Sequence, residues 1–124
     1  MTPRYGHVYL ADLHPRFGTE PGKVRPVVVV QTDALNPHHL STLICPFTTQ
    51  VIDDHTPLRV SIPQGISGLT ATSDILVDQI KAIDNQRFRQ ELGALPDPYL
   101  AELRKKILQI LDFVEESLSL TPLT

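Results

Sequence analysis

One arginine and one threonine stand out because their side chains suit the chemistry of a phosphate group. Arg25 directly precedes the apolar run 26–30, and Thr48 lies near the end of a second apolar segment, 40–49. A guanidinium presents N–H donors in a fixed fork that matches phosphate oxygens, and a hydroxyl adds a further donor. Placed together, the two groups would hold a phosphodiester and stabilise the extra negative charge of its transition state. The alternative interpretation is that Arg25 only solvates a strand end.

Two neighbouring strands must bring these residues together. The four consecutive valines at 27–30 predict a strand that is covered on both faces and therefore central in a sheet. Residues 40–49 predict the next strand, and we expect it to bulge or lie at an edge near Pro46, because proline withholds a backbone donor. If the two strands pair antiparallel, their opposite ends meet and Arg25 becomes a neighbour of Thr48.

The remaining strands are short and separated by turns. Residues 5–13 predict a buried strand, and the segment 14–22, with two prolines and two glycines, predicts a long hairpin loop. Residues 53–57 predict a loop, 58–62 alternate as in a half-exposed strand, 65–68 turn the chain, and 73–83 predict two strand pieces with a kink. These elements favour a small, strongly curved antiparallel sheet or barrel.

Helix is predicted only towards the C-terminus. Asp84 or Asn85 is expected to cap a short helix that runs through Phe88 and Leu92 to Gly93. Asp97 is expected to cap a longer helix with Pro98 at its first position. Its apolar stripe comprises Leu100, Leu103, Ile107, Ile110, Leu111, Val114 and Leu118, and its basic run Arg104, Lys105 and Lys106 is expected to be a solvated face. The fold class is therefore α+β.

Composition limits the classes of function. The chain has 124 residues, of which 41% are apolar, and we expect a single domain over 1–124 with a disordered tail allowed from 119. Its net charge of −3 argues against a strongly basic nucleic-acid-binding coat, although residues 1–26 are locally basic. No run is long enough to span a membrane and no secretory signal is visible, so a cytoplasmic protein without membrane contact is expected.

The residue spacings do not match a metal-binding or cofactor-binding motif. The five histidines lack the short fixed spacings of a zinc site, and no glycine-rich phosphate-binding motif opens a helix. We therefore expect no metal and no cofactor. The single cysteine, Cys45, lies in an apolar run, which predicts a small buried side chain and not a nucleophile.

Five segments, in this order and spacing, resemble the MazF/PemK toxin family from residue 4 to 113. They are Tyr-Gly-His-Val-Tyr-Leu-Ala-Asp-Leu at 5–13, Gly-Thr-Glu-Pro-Gly-Lys-Val-Arg-Pro-Val-Val-Val at 18–29, Cys-Pro-Phe-Thr-Thr at 45–49, Gly-Leu at 68–69 and Asp-Gln-Ile-Lys-Ala-Ile-Asp at 78–84. The resemblance implies the plasmid-maintenance toxin fold, an SH3-like barrel with a C-terminal helix. It also implies a homodimer that cuts single-stranded RNA sequence-specifically without metal and is silenced by a cognate antitoxin.

The resemblance also assigns the catalytic residues. The family's catalytic arginine and threonine fall on Arg25 and Thr48, and its loop glutamate falls on Glu20, which is our candidate base. The reaction would be attack of a 2'-hydroxyl on the adjacent phosphorus, giving a 2',3'-cyclic phosphate and a 5'-hydroxyl. The family loop usually reads Gly-Ser-Glu-Gln-Gly, whereas Thr19 and Pro21 stand here, so we expect a stiffer loop.

The candidate RNA-binding residues are Phe17, Gly18, Lys23, Thr49 and Gln79. Phe17 is expected either to stack on a base or to pack under its own loop. Gln79 is expected either to form hydrogen bonds with the edge of a base or to cap the kink after Asp78. The expected antitoxin is MazE-like, with an acidic, partly apolar segment that lies across the basic region around Arg16, Lys23 and Arg25 and excludes RNA.

Two other functions remain open from the sequence. One is a non-catalytic toxin of the same fold that binds a protein target, as a topoisomerase poison does. The other is an inactive family member that acts only as an antitoxin sink or regulator.

Overall fold

The computed structural model describes residues 1–53 and 57–113, which form a seven-stranded antiparallel sheet followed by one helix. The strands are β1 (His7–Asp12), β2 (Val24–Val29), β3 (Ser41–Thr48), β4 (Arg59–Ile62), β5 (Ser73–Leu76), β6 (Lys81–Asp84) and β7 (Phe88–Ala94), and the helix is α1 (Asp97–Ile110). Short 3₁₀ turns lie at Ile66–Gly68, Val77–Gln79 and Asn85–Arg87. The predicted strand pieces on either side of the kink at 77–79 are therefore confirmed as β5 and β6. The middle of the loop predicted at 53–57, and the tail from 119, lie outside the described residues.

The strands follow the order β4-β5-β3-β2-β1-β7, and β6 pairs with β3. The turn after β4 reaches β7 at the other end of this order, where the Ser67 hydroxyl donates to the Ala94 carbonyl at 2.8 Å. Gly68 lies so close to β7 that a Cβ there would be 2.7 Å from the Leu92 carbonyl oxygen, and its φ of +72° suits glycine. The α+β class, with an antiparallel sheet and a C-terminal helix, is confirmed.

Two apolar clusters cover the sheet, one on each face. The first lies between the sheet and α1 and contains Val8, Val28, Cys45, Phe47, Val60, Ile62, Leu69, Ile75, Val77, Leu95 and Leu103. The second contains Tyr9, Ala11, Leu13, Val27, Val29, Ile44, Ile83 and Phe88. Since successive residues of a strand point to opposite faces, the valines of β2 enter both clusters, and the predicted central strand is confirmed.

The strand that carries Pro46 is interior, so the expected edge position was wrong. One side of β3 pairs with β2, where Val27 lies opposite Pro46. On the other side, β3 pairs with β6 through residues 41–44 and with β5 through Phe47 and Thr48. Pro46 lies where the partner changes, and a residue without a backbone N–H is tolerated at such a point.

The short helix expected between Asp84 and Gly93 was also wrong. Residues 85–87 form a 3₁₀ turn, in which the Asp84 carboxylate accepts a hydrogen bond from the Gln86 backbone N–H at 2.8 Å. Residues 88–94 form β7. The pairing of β7 with β1 contains two register shifts. They interrupt the strict alternation of a strand, so Phe88 lies in the second cluster while Leu92 packs against the first. A spacing of four residues fits a strand as well as a helix, so it did not distinguish the two.

Helix α1 starts at the expected place with a different cap. Pro96 occupies the N-cap without a side-chain bond, so Asp97 lies in the first turn and Pro98 follows it. A first-turn carboxylate still suits the positive end of the helix dipole. Leu103 is fully buried and Leu100, Ile107 and Ile110 pack against the first cluster, whereas Val114 and Leu118 of the predicted stripe lie outside the described residues. No helix in the described ranges is long and apolar enough to cross a membrane.

The basic run of α1 is not entirely a solvated face. Arg104 and Lys105 are exposed as expected. Lys106 instead donates from Nζ to the Arg59 carbonyl at 2.6 Å and contacts the Glu102 carboxylate at 3.0 Å. Lys106 thereby fastens α1 to the backbone of β4.

Candidate active site

Strands β2 and β3 bring Arg25 and Thr48 side by side. The paired register ends with Val27 opposite Pro46, and its continuation by two residues would set Arg25 opposite Thr48. Both residues line the same groove. The Arg25 Nη1 atom donates to the Phe47 carbonyl at 3.0 Å, and Nε donates to the Gly22 carbonyl at 2.8 Å. These two bonds fix the guanidinium plane. Nη2 and one N–H of Nη1 remain for a ligand, because no other bond to them occurs within 1–53 and 57–113.

The electrostatic surroundings of Arg25 are unusual for an arginine. Partial burial, and to a smaller extent the nearby Arg16 guanidinium, lowers the pKa of Arg25 from its ordinary value. Burial disfavours the charged form, and a second cation does the same. An anion bound beside Arg25 would favour the charged form of the guanidinium and so offset both effects.

The Thr48 hydroxyl is oriented by its own chain. Its Oγ1 accepts from the Gln50 backbone N–H at 3.1 Å, and the residue is half-buried at the end of β3. A hydroxyl carries one O–H donor in addition to its acceptor lone pairs. Because the Gln50 backbone N–H occupies one lone pair of Thr48 Oγ1, the O–H of this hydroxyl is left to donate to a ligand oxygen.

A groove of about 880 Å³ surrounds the pair. Six of the eight candidate site residues line it, namely Glu20, Lys23, Arg25, Thr48, Thr49 and Gln79. Among the described residues of its wall, the charged side chains are Arg16, Lys23, Arg25 and Arg59 against Glu20 and Asp78. Cations outnumber anions in this described part of the wall, although the whole chain carries a net charge of −3.

The loop between β1 and β2 folds back on itself beside the groove. Leu13 N–H bonds to the Lys23 carbonyl at 2.8 Å and closes its base, and Glu20 N–H bonds to the Phe17 carbonyl at 3.0 Å near its tip. Pro21 and Gly22 are buried, and a Cβ at Gly22 would be 2.9 Å from the Arg16 Cβ. Glu20 is thereby held half-buried in the groove wall.

Phe17 and Gly18 lie at the loop tip, outside the groove. Phe17 is 71% exposed, so it does not pack under its own loop. Gly18 has a φ of +56°, which suits a turn, and its carbonyl accepts from Arg16 Nη2 at 3.1 Å. An exposed ring at the tip of a loop is free to stack on a base, whereas Gly18 contributes shape only.

An ion pair between Arg59 of the groove wall and the buried Asp74 was not anticipated from the sequence. Arg59 Nη1 lies 3.1 Å from Asp74 Oδ2, and the Asp74 side chain is only 1% exposed. Arg59 was interpreted only as the exposed member of an alternating strand. The signal was Asp74, a charge between Ser73 and Ile75 in an apolar strand, since a charge in such a place requires a buried partner.

The other reactive groups lie away from this chemistry. Cys45 is fully buried, and burial, followed by the charge of Asp78, raises the pKa of its thiol to about 12. It is therefore the buried side chain that the sequence predicted. In the part of the chain that the structure describes, no three His, Cys, Asp or Glu side chains gather as metal ligands would.

Comparison with known proteins identifies the family. The family model for the PemK-like, MazF-like toxin of type II toxin-antitoxin system matches residues 4–111. Endoribonuclease MazF of Staphylococcus saprophyticus is 35% identical over 104 residues, which cover 84% of this chain and 87% of that protein. The crystal structure of MazF from Deinococcus radiodurans has a TM-score of 0.78 at 26% identity and covers 91% of this chain and 99% of its own. A MazE–MazF crystal structure from the same organism has a TM-score of 0.73 at 27% identity, over 92% and 99% of the two chains. The chain therefore belongs to the MazF/PemK family of toxins of type II toxin–antitoxin systems.

Proposed function

We propose that this chain is a sequence-specific, metal-independent endoribonuclease that cuts single-stranded RNA and is neutralised by a cognate antitoxin. Family membership and the related endoribonuclease support the class of activity. The observation that carries the proposal is the juxtaposition of the braced Arg25 fork and the oriented Thr48 hydroxyl in a groove where cations predominate. Both groups are donors, as the stabilisation of a negatively charged transition state requires.

The proposed chemistry is an internal displacement. The RNA 2'-oxygen forms a bond to the adjacent phosphorus while the bond to the 5'-oxygen breaks, which leaves a 2',3'-cyclic phosphate and a 5'-hydroxyl. Arg25 and Thr48 donate to the non-bridging oxygens, whose negative charge grows in the transition state. Glu20, in the groove wall, is the candidate base for the 2'-hydroxyl proton, and the 5'-oxygen takes its proton from solvent.

The remaining candidate residues would bind the strand on either side of the cut. Lys23 and Thr49 are exposed at the groove, where they can reach the RNA backbone, and the half-buried Gln79 ends the 3₁₀ turn in the groove wall. Phe17 would stack on a base beyond the groove, a contact typically worth ~1–3 kcal/mol. Gln79 would then contribute to sequence specificity, whereas Lys23 would contribute to RNA affinity whatever the sequence.

The alternative is a non-catalytic toxin that binds a protein target. The feature in its favour is the apolar end of α1, where Leu111 is 48% exposed and Phe113 is 56% exposed. Arg25 discriminates between the two functions, because only RNA cleavage requires its guanidinium at a phosphate.

The purified chain, incubated with long single-stranded RNA in EDTA, tests the proposal. Discrete cuts with cyclic phosphate at the 3' side and hydroxyl at the 5' side are expected. If the RNA stays intact while the chain still binds an antitoxin, the chain is a protein-binding toxin or an inactive family member.

A further inference from the structure

A buried ion pair lies directly beside the proposed catalytic threonine. Asp74 is opposite Thr48 in the β3–β5 pairing and is 1% exposed. Its Oδ2 accepts from Arg59 Nη1 at 3.1 Å and from the Ile52 amide at 3.2 Å, whereas Oδ1 has no partner within the described residues. A buried carboxylate is costly unless it is fully paired, so stability alone does not explain the arrangement.

A continuous set of hydrogen bonds connects this pair to the Thr48 hydroxyl. Arg59 Nη1 also donates to the Gln50 carbonyl at 2.8 Å. The Gln50 backbone N–H, in turn, donates to Thr48 Oγ1 at 3.1 Å. Residues 49–53 are exposed, and the bonds at Gln50 and Ile52 tie this segment to the sheet. The pair therefore restrains Gln50 through its carbonyl, and the backbone N–H of the same residue bonds to Thr48 Oγ1.

We propose that Arg59 and Asp74 are positioning residues that keep the Thr48 hydroxyl in its donating orientation through the Gln50 backbone. The inference deepens the proposed function and rests on it, because it gives the pair a role in RNA cleavage. A donor displaced by about 1 Å costs up to roughly 10²-fold in rate. Loss of the pair thus slows the chemical step and leaves RNA affinity nearly unchanged.

Arg59 also lines the groove, so direct contact with an RNA phosphate is the competing role. The two roles differ in what they change. A phosphate contact contributes to affinity, and its removal lowers the salt dependence of binding whether or not the Thr48 hydroxyl is present. A positioning residue acts on the rate at saturating RNA, and its effect disappears when no hydroxyl is present to be positioned.

A double-mutant cycle separates them. Arg59→Gln in the otherwise unchanged chain is expected to lower the single-turnover rate by roughly 10-fold to 10²-fold at saturating RNA, with the Kd within about threefold. In a Thr48→Val background, which keeps the side-chain shape without the hydroxyl, the same change is expected to cost less than about threefold. Arg4→Gln is the matched control, since Arg4 pairs with Glu91 on the exposed surface. We expect this change to leave the rate unaltered.

Further variants guard against misfolding. Arg59→Lys keeps a cation beside Asp74 but lacks the fork that reaches both Asp74 and Gln50. Compared with Arg59→Gln, it is therefore expected to recover more of the folding stability than of the single-turnover cleavage rate. Asp74→Asn is expected to slow cleavage as Arg59→Gln does. Equal losses in the unchanged chain and in the Thr48→Val background, or a change confined to Kd and its salt dependence, would overturn the proposal.

Amide hydrogen exchange measured by NMR tests the positioning without any activity. In Arg59→Gln, exchange at Gln50 and Ile52 is expected to accelerate severalfold, while Val28 in the core of β2 stays unchanged. Unaltered exchange at Gln50 would refute the positioning role even in an active nuclease. Accelerated exchange in a chain that leaves RNA intact would support the positioning contact and reject the proposed function.

Discussion

Replacement of Arg25 by alanine is expected to have two effects, since it removes the proposed phosphate clamp and a brace between the loop and β3. Its Nε donates to the Gly22 carbonyl and one N–H of Nη1 donates to the Phe47 carbonyl, so Nη2 and the second N–H of Nη1 are left for the substrate. The kinetic cost follows from the loss of a transition-state donor, about 10²-fold to 10³-fold in kcat, or ~2.7–4 kcal/mol. Arg25→Lys should recover little of this, because a single ammonium cannot brace both carbonyls and still present a fork.

The same contacts set a limit on the stability cost. Two carbonyls lose a charged donor, which costs on the order of 1–3 kcal/mol when the groups stay buried, and groove water offsets part of it here. A domain of ordinary stability, ~5–15 kcal/mol, remains folded after such a loss. A lower melting temperature with an unchanged circular dichroism spectrum is therefore expected alongside the kinetic defect.

Single-turnover cleavage of a fluorescent RNA in EDTA is the appropriate assay, with the concentration of folded protein matched between variants. Arg4→Ala is the control, because it deletes an arginine of an exposed ion pair with Glu91. If folded Arg25→Ala cleaves within about tenfold of the unmodified chain, Arg25 does not supply the transition-state donor assumed here.

Three further outcomes are expected. Thr48→Ala should slow cleavage less than Arg25→Ala, and Thr48→Ser should retain most of the rate because the hydroxyl is kept; single-turnover rates check both. Inhibition by the cognate antitoxin should weaken between low and high salt, since its acidic segment would lie against Arg16 and Lys23; salt-independent inhibition would place the binding surface elsewhere. The chain should be a homodimer that covers the exposed end of α1 at Leu111 and Phe113; a sedimentation mass of one chain at micromolar concentration would contradict this.

The sequence predicted those parts of the fold that depend on local patterns. The valine run has no polar alternation, and it is buried on both faces in β2. The helix at 97–110 follows from a 3.6-residue apolar period after two prolines. By contrast, β7 was mistaken for a helix, because its pairing with β1 contains register shifts that no local pattern reveals.

The candidate site was predictable only in part, for a similar reason. Arg25 and Thr48 could be placed together because antiparallel pairing of consecutive strands fixes which ends meet. The contact of Arg59 with Asp74 and Gln50 depends instead on how β4 pairs with β5 and on where the segment after β3 turns. Residue type and spacing do not determine such a tertiary contact.

A change in the substrate, with the protein left intact, tests directly whether the RNA 2'-hydroxyl is the nucleophile. An RNA with a single 2'-deoxy nucleotide just upstream of the mapped cut lacks the proposed nucleophile. In EDTA, we expect that the unmodified RNA is cut, that the deoxy RNA is not, and that both bind with nearly the same Kd. Cleavage of the deoxy RNA at this position, or an activity that EDTA abolishes and added metal restores, would show that water or metal-bound hydroxide is the nucleophile. Either result would contradict the roles given to Arg25 and Thr48.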